Sequence, residues 1–183
     1  MKRVLVVYSS AYGSTQKYAR WISEELNCEL TEKGKASDKN FDDYDVIIYG
    51  GGLYAGKING IDFLTSSFEK IKDKNIILFT CGLGDPDEQK NHQNIMKSVD
   101  KTLTGEMGKR VKVFCFRGGI DYSKLSFVHS AMMWMMYRII LKNSKKSQQA
   151  ADENRYFIET YGKAVDFTDK KYIEPLVDYV RSL

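Results

Sequence analysis

The residues with most chemistry to offer lie together in Tyr8-Ser9-Ser10-Ala11-Tyr12-Gly13-Ser14-Thr15. Hydroxyls on Ser9, Ser10, Ser14 and Thr15 surround a glycine, between the apolar run Val4-Leu5-Val6-Val7 and a helical pattern over 16–26. At a helix start the backbone N–H groups lack intrahelical partners and the dipole favours negative charge. Gly13 lets the chain turn tightly and approach a ligand. The loop has no lysine, so it is not the G-x-x-x-x-G-K-[ST] loop for nucleoside triphosphates, and it is not G-x-G-x-x-G. An uncharged, hydroxyl-lined loop suits one terminal phosphate monoester, as on a mononucleotide. The same residues also suit a plain helix start, with Ser10 or Ser14 as the cap.

Two further stretches follow apolar runs: Gly50-Gly51-Gly52-Leu53-Tyr54-Ala55-Gly56 and Thr80-Cys81-Gly82-Leu83-Gly84-Asp85. Backbone this rich in glycine can approach a flat ligand edge-on, and Leu53 or Tyr54 could cover its face. Taken singly, each is an ordinary turn signal. Other chemistry is sparse. His92 and His129 have no metal-ligand spacing, so no metal site is read. Cys81 has no paired histidine and reads as a thiol beside a ligand, not as a nucleophile. Asp85 and Asp87 read as helix-start charges. Arg117 and Tyr122 lie past the last strand, within reach of a substrate. No side chain is singled out as catalytic.

These residues need a frame. The chain has 183 residues, 43% apolar, enough for one well-cored domain spanning 1–183. Its net charge of +4, with no basic run interleaved with aromatics, argues against nucleic acid. Cys28, Cys81 and Cys115 are odd in number and far apart, which fits reduced thiols in a cytosolic protein. The apolar run after Met1-Lys2-Arg3 is too short for a secretory signal. Strands are expected at 3–8, 28–30, 45–50, 75–80 and 110–116, with 33–44 a polar loop. Helices are expected at 14–26, 60–71 and 87–103, the last opening after Pro86 and ending before Gly105 or Gly108. Strands alternating with helices imply right-handed crossovers and a doubly wound α/β sheet. Ligands of such sheets bind outside the carboxyl ends of the strands, where all three loops would share one rim.

Ser10-Ala11-Tyr12-Gly13-Ser14-Thr15 resembles the flavodoxin phosphate loop, [ST]-x-[ST]-G-x-[ST], with Tyr12 in place of its second hydroxyl residue. The strand and loop order extends the resemblance over about residues 1–120. It implies a flavodoxin-like, five-stranded parallel sheet of order 2-1-3-4-5 and a bound FMN. Ser9, Ser10, Ala11, Tyr12, Gly13, Ser14 and Thr15 would hold the phosphate. Gly52, Leu53, Tyr54, Ala55 and Gly56 would lie along one side of the flavin. Thr80, Cys81, Gly82, Leu83 and Asp85 would lie along the other. The chain departs from the electron-carrier flavodoxins in being mildly basic and in carrying an extra segment, 120–168, before its last helix.

That segment opens with an apolar helix at 125–142, in which Met132 to Met136 are all Met or Trp. A helix apolar all round must be buried, paired with a partner such as a second copy, or set against lipid. The reading given most weight is a helix covering the α/β core. His129, Ser130 and Arg138 interrupt it too often for a membrane span. Arg138, Lys142, Lys145 and Lys146 would suit anionic headgroups at the inner face of a membrane. The layout of Met-rich helix, polar insert and final helix is similar to the bacterial flavodoxin-like protoporphyrinogen oxidases. A polar stretch to about 154, a helix at 155–163, an extended piece at 164–167 and a closing helix from about Glu174 complete the chain. The expected function is therefore an FMN-dependent oxidoreductase passing electrons from an organic donor to an acceptor such as a quinone. The alternatives are a one-electron carrier between redox proteins and a flavin-free binding module.

Overall fold

Five strands run parallel, and all but the polar edge strand at 29–32 are apolar runs for most of their length. The computed structural model describes residues 2–145, 155 and 157–183. Strands β1 (Val4–Ser9), β2 (Glu29–Glu32), β3 (Val46–Tyr54), β5 (Asn75–Gly82) and β6 (Val111–Arg117) pair in the order β2-β1-β3-β5-β6. A short strand, β4 (Lys57–Ile58), folds back antiparallel on the end of β3. The parallel strands thus follow the 2-1-3-4-5 order of a flavodoxin-like α/β sheet.

Both faces of the sheet are covered, which is why its inner strands read as unbroken apolar runs and not as alternating ones. On one face Val4, Val6, Ile48, Ile77 and Phe79 pack under helix α1 (Ser14–Leu26) and the closing helix. On the other, Leu5, Val7, Ile47 and Leu78 pack under α2 (Asp62–Ile71) and α3 (Gln89–Thr102). Helix α4 (Gly105–Arg110) precedes β6. The closing helix, labelled α6 below, runs over Glu174–Ser182 with Pro175 in its first turn and Leu176, Val177 and Val180 buried.

Several boundaries differ from the sequence reading. The second strand starts at Glu29 and not at Cys28, in register with Leu5 of β1. Helix α3 opens at Gln89, because Glu88 is extended and the Asp85 carboxylate accepts the Asp87 N–H at 3.1 Å, forming a separate turn at Pro86. Gly105 starts a helix of its own as well as following one. The largest difference is at the glycine run. Residues 50–52 are strand, not loop: Gly50 and Gly51 pair with Tyr8 and Ser9, and Gly50, Gly51 and Gly52 pair with Phe79, Thr80 and Cys81. Gly50 is glycine because a Cβ there would fall inside the Phe79 ring.

The chain divides into two compact units, 1–118 with 167–183, and 119–166. In the second, β7 (Gly119–Asp121) pairs antiparallel with β8 (Ala164–Asp166), and α5 (Phe127–Ser144) begins on a Ser126 cap. Tyr137 of α5 stacks on Tyr161 at 3.9 Å, and Tyr122 meets the same ring edge-on. None of α5's residues is buried, where its apolarity implied burial. Its uniform apolarity suggested burial on all sides, yet one side remains open. Residues 157–160 are helical, while 146–154 and 156, part of the expected polar stretch and helix, lie outside the described residues.

Candidate functional site

The site is built where β1, β3, β5 and β6 end. β1 delivers Ser9 to the rim, and the chain turns through 10–13 into α1. Gly13 makes that turn in the left-handed region, at φ 97°, which favours a residue without Cβ. The Ser10 hydroxyl accepts the Gly13 N–H at 3.0 Å and holds the loop closed. Ser10 therefore braces the loop, and no side chain caps the helix itself. The first intrahelical bond is donated by Lys17 to Gly13 at 2.9 Å, so the Ser14, Thr15 and Gln16 amides precede the hydrogen-bonded turns. No acidic residue stands in that first turn. The positive end of the α1 dipole therefore faces no carboxylate of its own first turn.

β3 runs on to Tyr54 and reverses through Ala55 and Gly56, at φ 47° and 75°, into β4. Two successive residues with positive φ make the I′-type hairpin whose twist suits a strand pair. Ala55 is one of two non-glycine residues with positive φ among the described residues. The Tyr54 side chain folds back over its own strand, so that a Cβ on Gly52 would lie 2.7 Å from the phenol oxygen. Its ring meets Tyr12 edge-on at 5.7 Å. Burial pushes the Tyr54 phenol up to about 12, while the backbone amides of Ala11 and Tyr12, aimed at its oxygen, pull the other way. Tyr54 thus reaches the loop between β1 and α1.

β5 extends two residues further than its apolar run implied, so Cys81 and Gly82 are strand residues and not loop residues. Thr80 is 1% exposed and faces the Cys115 thiol, whose pKa burial raises and Thr80 lowers. The rim proper starts at Gly82. A Cβ there would touch Leu53 of β3 at 3.6 Å, and the Gly82 carbonyl accepts the Gly118 N–H at 2.6 Å. Gly118 is the residue the sequence reading missed. A Cβ on it would sit 2.8 Å from the Cys81 sulfur and 3.3 Å from Ser14 Cβ, so the ends of β5, β6 and the phosphate loop close on one point. A single glycine some thirty residues past the last site stretch carries no local signal.

The structure also places Asp85 and Arg117. The Arg117 guanidinium donates to Asp85 at 2.7 Å, both side chains being about three-quarters buried, and lies over the Phe167 ring at 4.2 Å. The Tyr18 hydroxyl donates to the Arg117 carbonyl at 2.6 Å and accepts from the Asp169 N–H. Burial raises the Tyr18 phenol well above its ordinary value, so it remains a donor. Asp85, expected beside a ligand, is thus half of an ion pair tying the third loop to β6.

Of the expected site residues, Ala11, Tyr12, Ser14, Gly52, Leu53, Tyr54, Cys81 and Gly82 come together around this rim. Ala55 and Gly56 form the hairpin tip, where a Cβ on Gly56 would be 3.6 Å from Ser98 of α3. None of the three cysteines is in a disulfide, and burial pushes Cys28 up to about 12. Among the described residues no group of three His, Cys, Asp or Glu could hold a metal, and no helix is long and apolar enough to cross a membrane.

An open parallel sheet of order β2-β1-β3-β5-β6, with a glycine turn after its first strand leading into a helix, has the flavodoxin-like topology. The Flavodoxin_5 family model, described as a flavodoxin domain, matches residues 5–148, and the chain belongs to that family. It is 31% identical over 83 residues to an uncharacterized protein of Methanocaldococcus jannaschii, a match covering 45% of this chain and 55% of that one. The chain thus spans about half the length of that curated relative. Among solved structures it is similar to a flavoprotein in complex with FMN from Lactobacillus acidophilus, at 17% identity and TM-score 0.44, covering 64% of this chain and 93% of that one. It is also similar to the two-electron reduced flavodoxin of Megasphaera elsdenii, at 21% identity and TM-score 0.40, covering 61% and 82%. The family assignment rests on the sequence match and the strand order, not on these scores.

Proposed function

We propose that this chain is an FMN-binding, flavodoxin-type oxidoreductase. The observation that carries the reading is the α1 amino terminus, which has neither a carboxylate nor a side-chain cap, opening into a hydroxyl loop on the rim where Leu53 meets Gly82. The donor set fits the group: amides and hydroxyls for a phosphate monoester, and apolar strand ends for a flat ring. Residues 9–15 would hold the phosphate, and 52–56 and 82–85 would border the ring. FMN, when bound, supplies reversible electron transfer; the protein supplies binding, orientation and electrostatics. Loop 10–13 fixes the phosphate end. Asp85 and Arg117 brace the third loop, and the apolar Leu53 and Tyr54 limit water at the rim.

The donor proposed is a bulky, reduced organic molecule of the kind the flavodoxin-like protoporphyrinogen oxidases take, with a quinone as acceptor. Its support is the second unit, whose Met-rich helix α5 a simple one-electron carrier does not need. The test is the absorbance spectrum after adding FMN, followed by donor-dependent quinone reduction. A flavin spectrum with quinone turnover supports the enzyme. A flavin spectrum with electron exchange only between redox proteins supports the carrier, and no flavin spectrum removes both. Thr15→Ala should weaken FMN by about 1–3 kcal/mol, as expected for a hydroxyl bonding a charged group, and leave riboflavin almost unchanged.

A further inference from the structure

Helix α5 carries two unlike sides. One holds the half-buried Tyr137, stacked on Tyr161. The other holds Phe127, Val128, Trp134, Met135 and Ile139, all exposed, with Phe127 at 89% and Trp134 at 56%. Spacings of seven residues (Phe127 to Trp134, Val128 to Met135) and four (Met135 to Ile139) put these five on one broad face of the helix. Arg138, Lys142 and Lys145 continue the same face toward the carboxyl end, all exposed, and the Arg138 guanidinium lies 5.6 Å from the Trp134 ring. No Asp or Glu occurs anywhere between Tyr122 and Ala151.

We propose that this face docks on an anionic lipid bilayer, with α5 lying in the interface and its amino end dipping deepest. The charge pattern selects this occupant. A second copy of the helix would bring the same three cations with no carboxylate to meet them, whether the pair ran parallel or antiparallel. A bilayer meets both halves of the face. Its acyl boundary takes Phe127, Val128, Met135 and Ile139, and its headgroup phosphates take the cations. Trp134 lies beside Arg138, its indole able to sit at the headgroup level that this side chain prefers. Arg138 and Lys142 have stems long enough to lie along the apolar boundary while their charges remain in water. The face is held by one unit alone and needs no flavin, so the proposal stands apart from the cofactor reading.

The test uses the full chain with Trp21→Phe, which leaves Trp134 as its only tryptophan. Sedimentation with vesicles of phosphatidylcholine alone is compared with vesicles containing about one-third phosphatidylglycerol, while Trp134 emission is followed. Binding to the anionic vesicles, weakened by salt and accompanied by a blue shift of Trp134, is expected. Arg138→Gln and Lys142→Gln should each lower partitioning about fivefold, the effect of one cation near such a surface. Phe127→Ser should lower it by at least about tenfold in the same vesicles. Sedimentation to anionic vesicles without a Trp134 shift would overturn the proposal, because the helix would not have entered. So would failure of the full chain to bind them, or a dimer in solution that Phe127→Ser converts to monomer. Circular dichroism and the melting temperature check that each variant is folded.

Discussion

Removing the Tyr54 hydroxyl while keeping its ring probes the rim most finely. In the structure that oxygen faces the Ala11 and Tyr12 amides, the donors a bound phosphate would take. Binding then exchanges a neutral hydrogen bond for a charged one. Tyr54→Phe removes the bond from the free protein and leaves the ring over Gly52 and edge-on to Tyr12. A neutral hydrogen bond contributes about 1 kcal/mol net, so Tyr54→Phe should tighten FMN roughly fivefold. Riboflavin, with no phosphate to compete for the amides, should change little. With the phenol pushed up to about 12, the hydroxyl is neutral near pH 7 and the gain should be flat across neutral pH. Tyr54→Ala should act in the opposite direction, because it removes the apolar surface as well. The assay is flavin fluorescence titration of each variant at several pH values. Weaker FMN binding by Tyr54→Phe, with riboflavin unchanged, would refute the reasoning, since the hydroxyl would then be serving the phosphate and not competing with it.

Other perturbations follow from the same geometry. Gly118→Ala places a Cβ 2.8 Å from the Cys81 sulfur and 3.3 Å from Ser14, and should cost about 1–3 kcal/mol by overpacking. Thermal melting would show the loss, and adding Cys81→Ala should restore part of it. Ala55→Gly relieves a left-handed residue at φ 47° and should stabilise the chain by about 0.5–1 kcal/mol, read from the denaturant midpoint. Asp85→Asn leaves Arg117 without its carboxylate in a largely buried place. It should loosen the third loop and cost about 1–3 kcal/mol, which hydrogen exchange near Gly82 and the melting temperature would report.

The sheet was legible because its inner strands β1, β3 and β5 open on continuous apolar runs, and strand order follows once the first loop is matched to the flavodoxin pattern. The strand-turn-helix unit at 4–26 was legible for a local reason: its three parts are adjacent in sequence. Contacts between distant residues left no local trace. Gly50-Gly51-Gly52 has the composition of a loop, but the Phe79 ring needs bare backbone opposite it, and that ring lies on the neighbouring strand. Asp85, Arg117 and Phe167 form one stack from three distant parts of the chain. Helix α5 misled in another way. Apolar residues on every side signalled burial, whereas the Tyr137 side packs and the Phe127 side remains open.

The central claim is that the α1 amino terminus and its hydroxyl loop are a phosphate site for a flavin mononucleotide. Parallel titrations of the flavin-free protein with FMN and riboflavin test it most directly, because the two ligands differ only in the phosphate. FMN should bind at least about tenfold more tightly, matching one or more charge-assisted hydrogen bonds. Riboflavin bound as tightly as FMN, or more tightly, would contradict the account.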